Sequence, residues 1–258
     1  ALMPGHITDK VYYSHQGLTY GGLIMSHEAA AVQVLAIFDL LLHTLRSLDI
    51  SKFVYKAIPH IYHKSPAEED LYALFRNNAS LSARCISSTL LLSESPAYSR
   101  TRKNGLKKAL KNNLEVRQSQ DYESFWQILS RNLDTKYDTE PVHTLSEIRL
   151  LKDHFPNEIE LYTVSSPQGE MLAGTVVFIT DTLVHLQYTA GTEEGKKSGA
   201  VDLLVDHIIT EVSHGKRYFD YGHSNENQGL YLNEKLIYQK EGFGARAITY
   251  DIYTIHLQ

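Results

Sequence analysis

The chain has 258 residues, 43% hydrophobic and 21% charged, which is more than one average domain and excludes wholesale disorder. A formal net charge of −5 argues against a protein whose whole surface grips nucleic acid. The single cysteine, Cys85, permits no internal disulfide and fits a reducing, cytoplasmic compartment.

Seventeen tyrosines against one tryptophan suit half-buried strands and polar clefts. The opening reads as a strand end at 1–3, a turn at Pro4-Gly5 and a returning strand at 11–14, so the first unit is expected to lack its leading strands. No charged segment leads into an apolar stretch, and no signal peptide is expected. Strands at 11–14 and 23–25 flank a loop at 16–22, and Ser26 is placed to cap a long helix. The most apolar stretch, 28–48, is interrupted by Gln33, Asp39, His43 and Arg46. A membrane span needs about 20 mostly apolar residues, so a buried helix is expected there instead. Residues 53–58 alternate as a strand stopped by Pro59. Ser65-Pro66-Ala67-Glu68 has the cap, proline and acids of a helix start, with Leu71, Leu74 and Phe75 on one face; a strand at 83–92 follows.

Between Ala97 and Leu114 there is no acidic residue, whereas Arg100, Arg102, Lys103, Lys107, Lys108 and Lys111 all fall there. A helix with Leu106 and Leu110 packed inward leaves these cations either as a solvated face or as a local patch for phosphates or a nucleotide. The chain thus divides into a first block at 1–96, a basic connecting helix at 97–113 and a second block at 114–258.

The second block begins with a strand at 114–117 and a helix at 122–133, then a helix capped by Ser146 and ended by Pro156. Strands at 160–164, 171–179 and 183–188 are joined by Ser166-Pro167-Gln168-Gly169 and Thr180-Asp181, which predicts an antiparallel meander. Val201, Leu204, Val205, Ile208 and Val212 recur at helical spacing, and Gly215 closes that helix. A strand at 217–221, a helix at 230–241 and a long final strand at 245–257 complete the order.

Between the strand ending at Tyr188 and the helix near Ala200 lie Thr189, Gly191, Gly195, Lys196, Lys197, Ser198 and Gly199. Three glycines let backbone amides turn toward a ligand, a helix N-terminus adds unpaired amides, and two lysines add charge, so the loop favours a phosphate-bearing ligand. Glu193 and Glu194 subtract from that charge, which leaves an ordinary connecting loop as the other reading.

This strand order and loop resemble the GNAT fold of acyl-CoA-dependent N-acyltransferases. The resemblance implies an α/β (α+β) protein with a mixed, mainly antiparallel sheet flanked by helices. In that family the loop after the fourth strand cradles the coenzyme A pyrophosphate, with a Gln/Arg-x-x-Gly-x-Gly/Ala pattern. Here Glu194-Gly195-Lys196-Lys197-Ser198-Gly199-Ala200 keeps the glycines but not their spacing. Leu236-Ile237-Tyr238-Gln239-Lys240-Glu241-Gly242-Phe243 is similar to the family segment Leu-Tyr-x-Lys-x-Gly-Phe. Its tyrosine implies Tyr238 as general acid for the departing thiolate, since a phenol of pKa about 10 stays protonated at neutral pH.

The segment 13–22, the basic helix and Asp220-Tyr221-Gly222-His223-Ser224-Asn225-Glu226-Asn227 resemble the Fem-like branch, whose members carry two such units side by side. Fem proteins proper use aminoacyl-tRNA and carry a coiled-coil arm, which is not seen here. The resemblance implies a duplicated fold, first copy incomplete, with an acceptor cleft near His15, Tyr20, Lys56, His60, Tyr62 and Arg76.

In the polar turn, His223 or Glu226 can orient or deprotonate an amine, Asn225 can orient it or help hold the donor, or the turn is merely conformational. His60 and His63 with Glu68 and Glu69 have no further ligand at zinc-like spacing, so no metal is expected. The expected activity is transfer of an acyl group from acyl-CoA, as cosubstrate with no permanently bound cofactor, to a small-molecule or peptide amine. The alternatives are aminoacyl-tRNA as donor and a non-catalytic ligand-binding unit.

Overall fold

The computed structural model describes residues 1–15, 17–137 and 139–257, so Gln16 of the expected first loop lies outside the described residues. The elements in chain order are β1 (His6–Thr8), β2 (Val11–Tyr13), α1 (Ala31–Ser47), β3 (Lys52–Lys56), α2 (Glu69–Arg76), β4 (Ser80–Leu91) and α3 (Arg100–Lys111). There follow β5 (Glu115–Ser119), α4 (Tyr122–Tyr137), α5 (Leu145–His154), β6 (Ile159–Ser165), β7 (Met171–Ile179), β8 (Leu183–Gly191), α6 (Glu193–Ser198) and α7 (Ala200–His207). The last are β9 (Tyr218–His223), β10 (Asn225–Glu226), β11 (Tyr231–Leu232), α8 (Glu234–Glu241) and β12 (Arg246–His256). The chain forms two compact units: one of residues 1–87, 223–234 and 247–258, the other of 88–222 and 235–246. The expected mixed, mainly antiparallel α/β class holds in both.

In the first unit the strands run in the order β1-β2-β3-β12-β4, with β1–β2 and β3–β12 antiparallel and β2–β3 parallel. Helix α1 lays Val34, Phe38, Leu42 and Leu45 on Phe53 and Tyr55 of β3 and on Leu74 of α2. Burying each such side chain contributes about 1.5–3 kcal/mol. Tyr55 is fully buried; its hydroxyl donates to Asp70 at 2.5 Å and accepts from the Leu23 amide at 3.0 Å. Burial pushes the Asp70 carboxyl and the Tyr55 phenol up.

Several local expectations shift. The first long helix starts at Ala31, with the Gln33 side chain accepting from the Ala30 amide at 3.2 Å, and Ser26 lies upstream of it. Residues 23–25 form a single bridge, Leu2 to Ile24, and no strand. Helix α2 starts at Glu69, three residues after Pro66, so Asp70, Ala73 and Leu74 turn inward and Phe75 is 74% exposed.

In the second unit the order is β4-β9-β8-β7-β6-β5. The meander β6–β7–β8 is antiparallel as expected, β5 joins it antiparallel, and β8–β9 is parallel. Helices α4 and α5 pack Phe125, Trp126, Leu129 and Ile148 on Leu161 and Val176. Helix α7 packs Val205 on Val177, Val184 and Phe219. Helix α3 turns Ala109 inward but leaves Leu110 63% exposed, because its close approach is to α7. There a Cβ on Gly105 would lie 1.8 Å from Asp202 Oδ2, and Arg102 pairs with that carboxylate. Thr144, and not Ser146, caps α5, its hydroxyl accepting from the Glu147 amide at 3.2 Å.

Candidate active site

The parallel ladder between β8 and β9 runs only from Leu183↔Tyr218 to His185↔Asp220. Beyond that rung β8 continues to Gly191 against β7, and a register shift leaves Gln187 bulged between Leu186 and Tyr188. Among the described residues, the edge of β8 that faced β9 therefore has no strand partner past His185. Backbone amides and carbonyls on such an edge are obligatory hydrogen-bonding groups, ready for an extended ligand chain.

A buried polar group closes the inner end of this opening. His185 Nδ1 lies 2.8 Å from Asp220 Oδ2, and the other carboxylate oxygen accepts from Thr89 Oγ1 at 2.9 Å. Lys240, on α8, donates to the Gly222 carbonyl at 2.8 Å, two residues past Asp220. Asp220 is wholly buried, and the other three side chains are nearly so. Burial pushes the Lys240 ammonium down to about 8, against the pull of the Asp220 carboxylate. Gly222 has φ +74°, and a Cβ there would meet His185 Cε1 at 3.3 Å, so glycine lets the strand turn beside the imidazole.

The segment expected as an open glycine loop is structured. β8 extends through Tyr188 and Thr189 to Gly191, and 193–198 is a short helix whose Gly195 amide is capped by Thr192 Oγ1 at 2.9 Å. A Cβ on Gly195 would lie 2.0 Å from the Leu172 carbonyl oxygen, and one on Gly191 2.8 Å from Val201 Cγ2. Gly199, at φ +86°, ends α6, and its Cβ would lie 2.2 Å from the Gly105 carbonyl oxygen. Each of these glycines thus lies in close packing, which a backbone contact to a ligand does not exclude. Lys196 donates to Asn132 and Glu193, Lys197 is exposed, and Ser198 donates to the Gly195 carbonyl. The Thr189 hydroxyl lies 2.9 Å from that of Thr175. The Tyr188 hydroxyl accepts from the His143 amide and sits 2.6 Å from His143 Nδ1, with Trp126 edge-on at 5.2 Å.

Tyr238 stands on α8, 65% exposed, two residues before Lys240. Phe243 packs against Tyr98 and Tyr221. His223 ends β9 and is exposed; its ring lies 6.5 Å from that of Tyr250. Asn225 Oδ1 accepts from the Ile86 amide at 2.7 Å and Nδ2 donates to the Gly229 carbonyl, which holds the β10–β11 hairpin in place. Glu226 accepts from Asn233 at 3.3 Å.

Of the expected acceptor residues, the first unit brings Tyr20 and Tyr62 together, 4.4 Å between ring centroids, and adds Tyr250, whose hydroxyl is 3.0 Å from that of Tyr62. Lys56 donates from Nζ to the Leu18 carbonyl at 2.7 Å; burial lowers its ammonium pKa, while Cys85 nearby acts the other way. His15 takes φ +53°, and His60 is exposed at the start of a short 3₁₀ turn. Arg76 is not drawn into the group; its guanidinium lies over the Tyr72 ring. A depression along α5, lined by Thr144, Arg149 and Asp153, contains none of the expected site residues. Among the described residues no His, Cys, Asp and Glu group is arranged to hold a metal ion.

His185, Thr89, Lys240 and Tyr250 were not singled out from sequence. The usable signal was a histidine inside the apolar strand Leu183-Val184-His185-Leu186, facing a carboxylate inside Phe219-Asp220-Tyr221.

Comparisons with known proteins agree with this fold. A family profile described as an acetyltransferase (GNAT) domain matches residues 99–231. The structure of FemX superposes with a TM-score of 0.72 at 10% identity, covering 98% of this chain and 83% of that one. The C-terminal domain of a putative lysylphosphatidylglycerol synthetase from Agrobacterium fabrum gives 0.66 at 10%, and L-PGS from Bacillus licheniformis 0.66 at 11%. Each of those two covers 98% of this chain and 79% of its own. No curated protein matches the sequence.

Proposed function

Because the chain belongs to the GNAT acetyltransferase family, we propose that it transfers an acyl group from an acyl-CoA thioester to a primary amine. The observation that carries this reading is the end of the β8–β9 ladder at His185↔Asp220, which among the described residues leaves that edge of β8 without a strand partner as far as Gly191. An acyl-pantetheine arm is a chain of amides and can hydrogen-bond to that edge as a strand would. The diphosphate falls to Lys196, Lys197 and the backbone around Gly191, Gly195 and Gly199, with Tyr188, Thr189, Ser198 and Asn225 as further donor contacts.

In this reading the amine nitrogen attacks the thioester carbonyl, the C–N bond forms and the C–S bond breaks. His223 or Glu226 takes the proton lost from the amine, and Tyr238 gives one to the departing thiolate. The acceptor, a small molecule or peptide amine, is assigned to Tyr20, Lys56 and Tyr62, with His15, His60 and Arg76 at its margin.

Thiol release from acetyl-CoA in the presence of a panel of amines tests the proposal. Amine-dependent release that falls at least tenfold in Tyr238→Phe supports it. No release with any acyl-CoA overturns the donor, and an unchanged rate in Tyr238→Phe overturns the acid.

A second donor, aminoacyl-tRNA, is favoured by the fold shared with FemX over 98% of the chain. It predicts aminoacyl transfer whose donor binding weakens steeply with salt, whereas coenzyme A binding responds mildly.

A further inference from the structure

Helix α3 carries a cationic face that the proposed reaction does not use. At about 100° per residue, Arg100, Lys103, Lys107, Lys108, Lys111 and Leu110 fall within an arc of about 160°. All six are exposed. The opposite side holds Arg102, Gly105, Leu106 and Ala109, and there Arg102 is tied to Asp202. Among the described residues none of the five exposed cations has an ion-pair partner. Five unneutralised charges on one helix of a protein with net charge −5 are a local concentration of positive potential.

We infer that this face of α3 docks on an anionic lipid surface. The helix is held firmly from behind: Ala109 is fully buried, and the approach at Gly105 leaves no room for a methyl group. Its outer arc is therefore a rigid platform about 18 Å long. Each lysine or arginine near an anionic leaflet contributes about 1 kcal/mol, and lysine stems lie along the interface while their ammonium groups reach the headgroups. Leu110, at the edge of the arc beside Lys107 and Lys111, adds an apolar side chain to enter the headgroup boundary.

Two features favour lipid over RNA. Four of the five cations are lysines, point charges without the guanidinium fork that grips a phosphate in two bonds. The arc also holds no aromatic side chain on which a base can stack.

The test is co-sedimentation of the full chain with vesicles of phosphatidylcholine alone and of phosphatidylcholine with about one third phosphatidylserine. The expected result is binding to the anionic vesicles only, weakening as salt is raised. The triple variant Lys103→Gln, Lys107→Gln, Lys111→Gln is expected to lose about 100-fold in binding, and Leu110→Ser about tenfold. Lys235→Gln, an exposed lysine of α8, is expected to bind as the parent does. Circular dichroism melts report that the variants are folded, and their thiol release with soluble substrates is expected to match the parent, which separates this proposal from the acyl-transfer reading. Equal binding to both vesicle types, binding to neither, or anionic binding that survives the triple substitution overturns the proposal. So does binding of a single-stranded RNA that the triple variant abolishes while vesicles are ignored.

Discussion

His185 and Asp220 sit opposite each other on the last rung of the β8–β9 ladder, and imidazole Nδ1 meets carboxylate Oδ2 at 2.8 Å. The two strands separate directly after this polar rung. The carboxylate is wholly buried and shared by His185 and Thr89. Its removal leaves two donors stranded in a low-dielectric site. Asp220→Ala is expected to cost about 3–5 kcal/mol, and Asp220→Asn, which keeps an acceptor, about 1–3 kcal/mol. The urea midpoint of each variant checks this; a shift under about 0.5 kcal/mol in Asp220→Ala would mean that the cluster is solvated.

Lys240 gives a pH signature. Its folded-state pKa is depressed to about 8 by burial, below the ordinary lysine value of 10.5, so the unfolded chain binds more protons between those values. The resulting destabilisation is fully present below about pH 8 and is relieved as pH rises toward 10.5. Between about pH 7.5 and 9.5, parental stability is expected to rise by about 2 kcal/mol relative to Lys240→Met. Tyrosine ionisation is common to both proteins and cancels in the difference. Parallel stability curves in chemical denaturation would refute the assignment.

The cap of α5 separates two neighbouring hydroxyls. Thr144 accepts from the Glu147 amide, and the Glu147 carboxylate accepts in return from the Thr144 amide at 2.7 Å. Thr144→Ala is expected to cost about 1 kcal/mol, and Ser146→Ala close to nothing. Hydrogen bonds from Thr144 hold the Glu147 carboxyl below its ordinary value, so its contribution is present above that value and disappears as pH falls through the lowered one. Thermal melts of both variants near neutral pH, with the Thr144→Ala comparison repeated in acid, test the pair.

Gly195 distinguishes packing from ligand contact. Alanine is the better helix former, but a methyl group here would lie 2.0 Å from the Leu172 carbonyl oxygen, a backbone atom that cannot swing aside. Gly195→Ala is expected to destabilise the ligand-free protein by about 2 kcal/mol or more. An unchanged melting temperature would show that the backbone at Leu172 gives way and that packing does not require glycine here.

Elements with strong local signals were legible. The meander β6–β8, the basic helix and the final strand follow from alternation, turn residues and spacing that act over a few neighbours. Helix starts were less so: Ser26 and Ser146 are good caps that went unused, because Ala30 and Thr144 stand where the first turns pack. The glycines of 191–199 carried a double meaning. Freedom of φ and absence of a Cβ serve a phosphate and a crowded helix crossing equally well, and only the positions of Leu172, Val201 and Gly105 show the second use.

The amino-acid order by itself carried the resemblance that implies the fold class, the succession of elements and the concentration of charge on one helix, since the motifs, the turn signals and the helical spacing each depend on residues close together in the chain. Tertiary structure alone decided which polar groups meet. His185 and Asp220 are 35 positions apart, and Thr89 and Asp220 are 131. Such pairs are selected by strand register and by the high cost of leaving a buried polar atom without a partner, and neither is written in any local run of sequence.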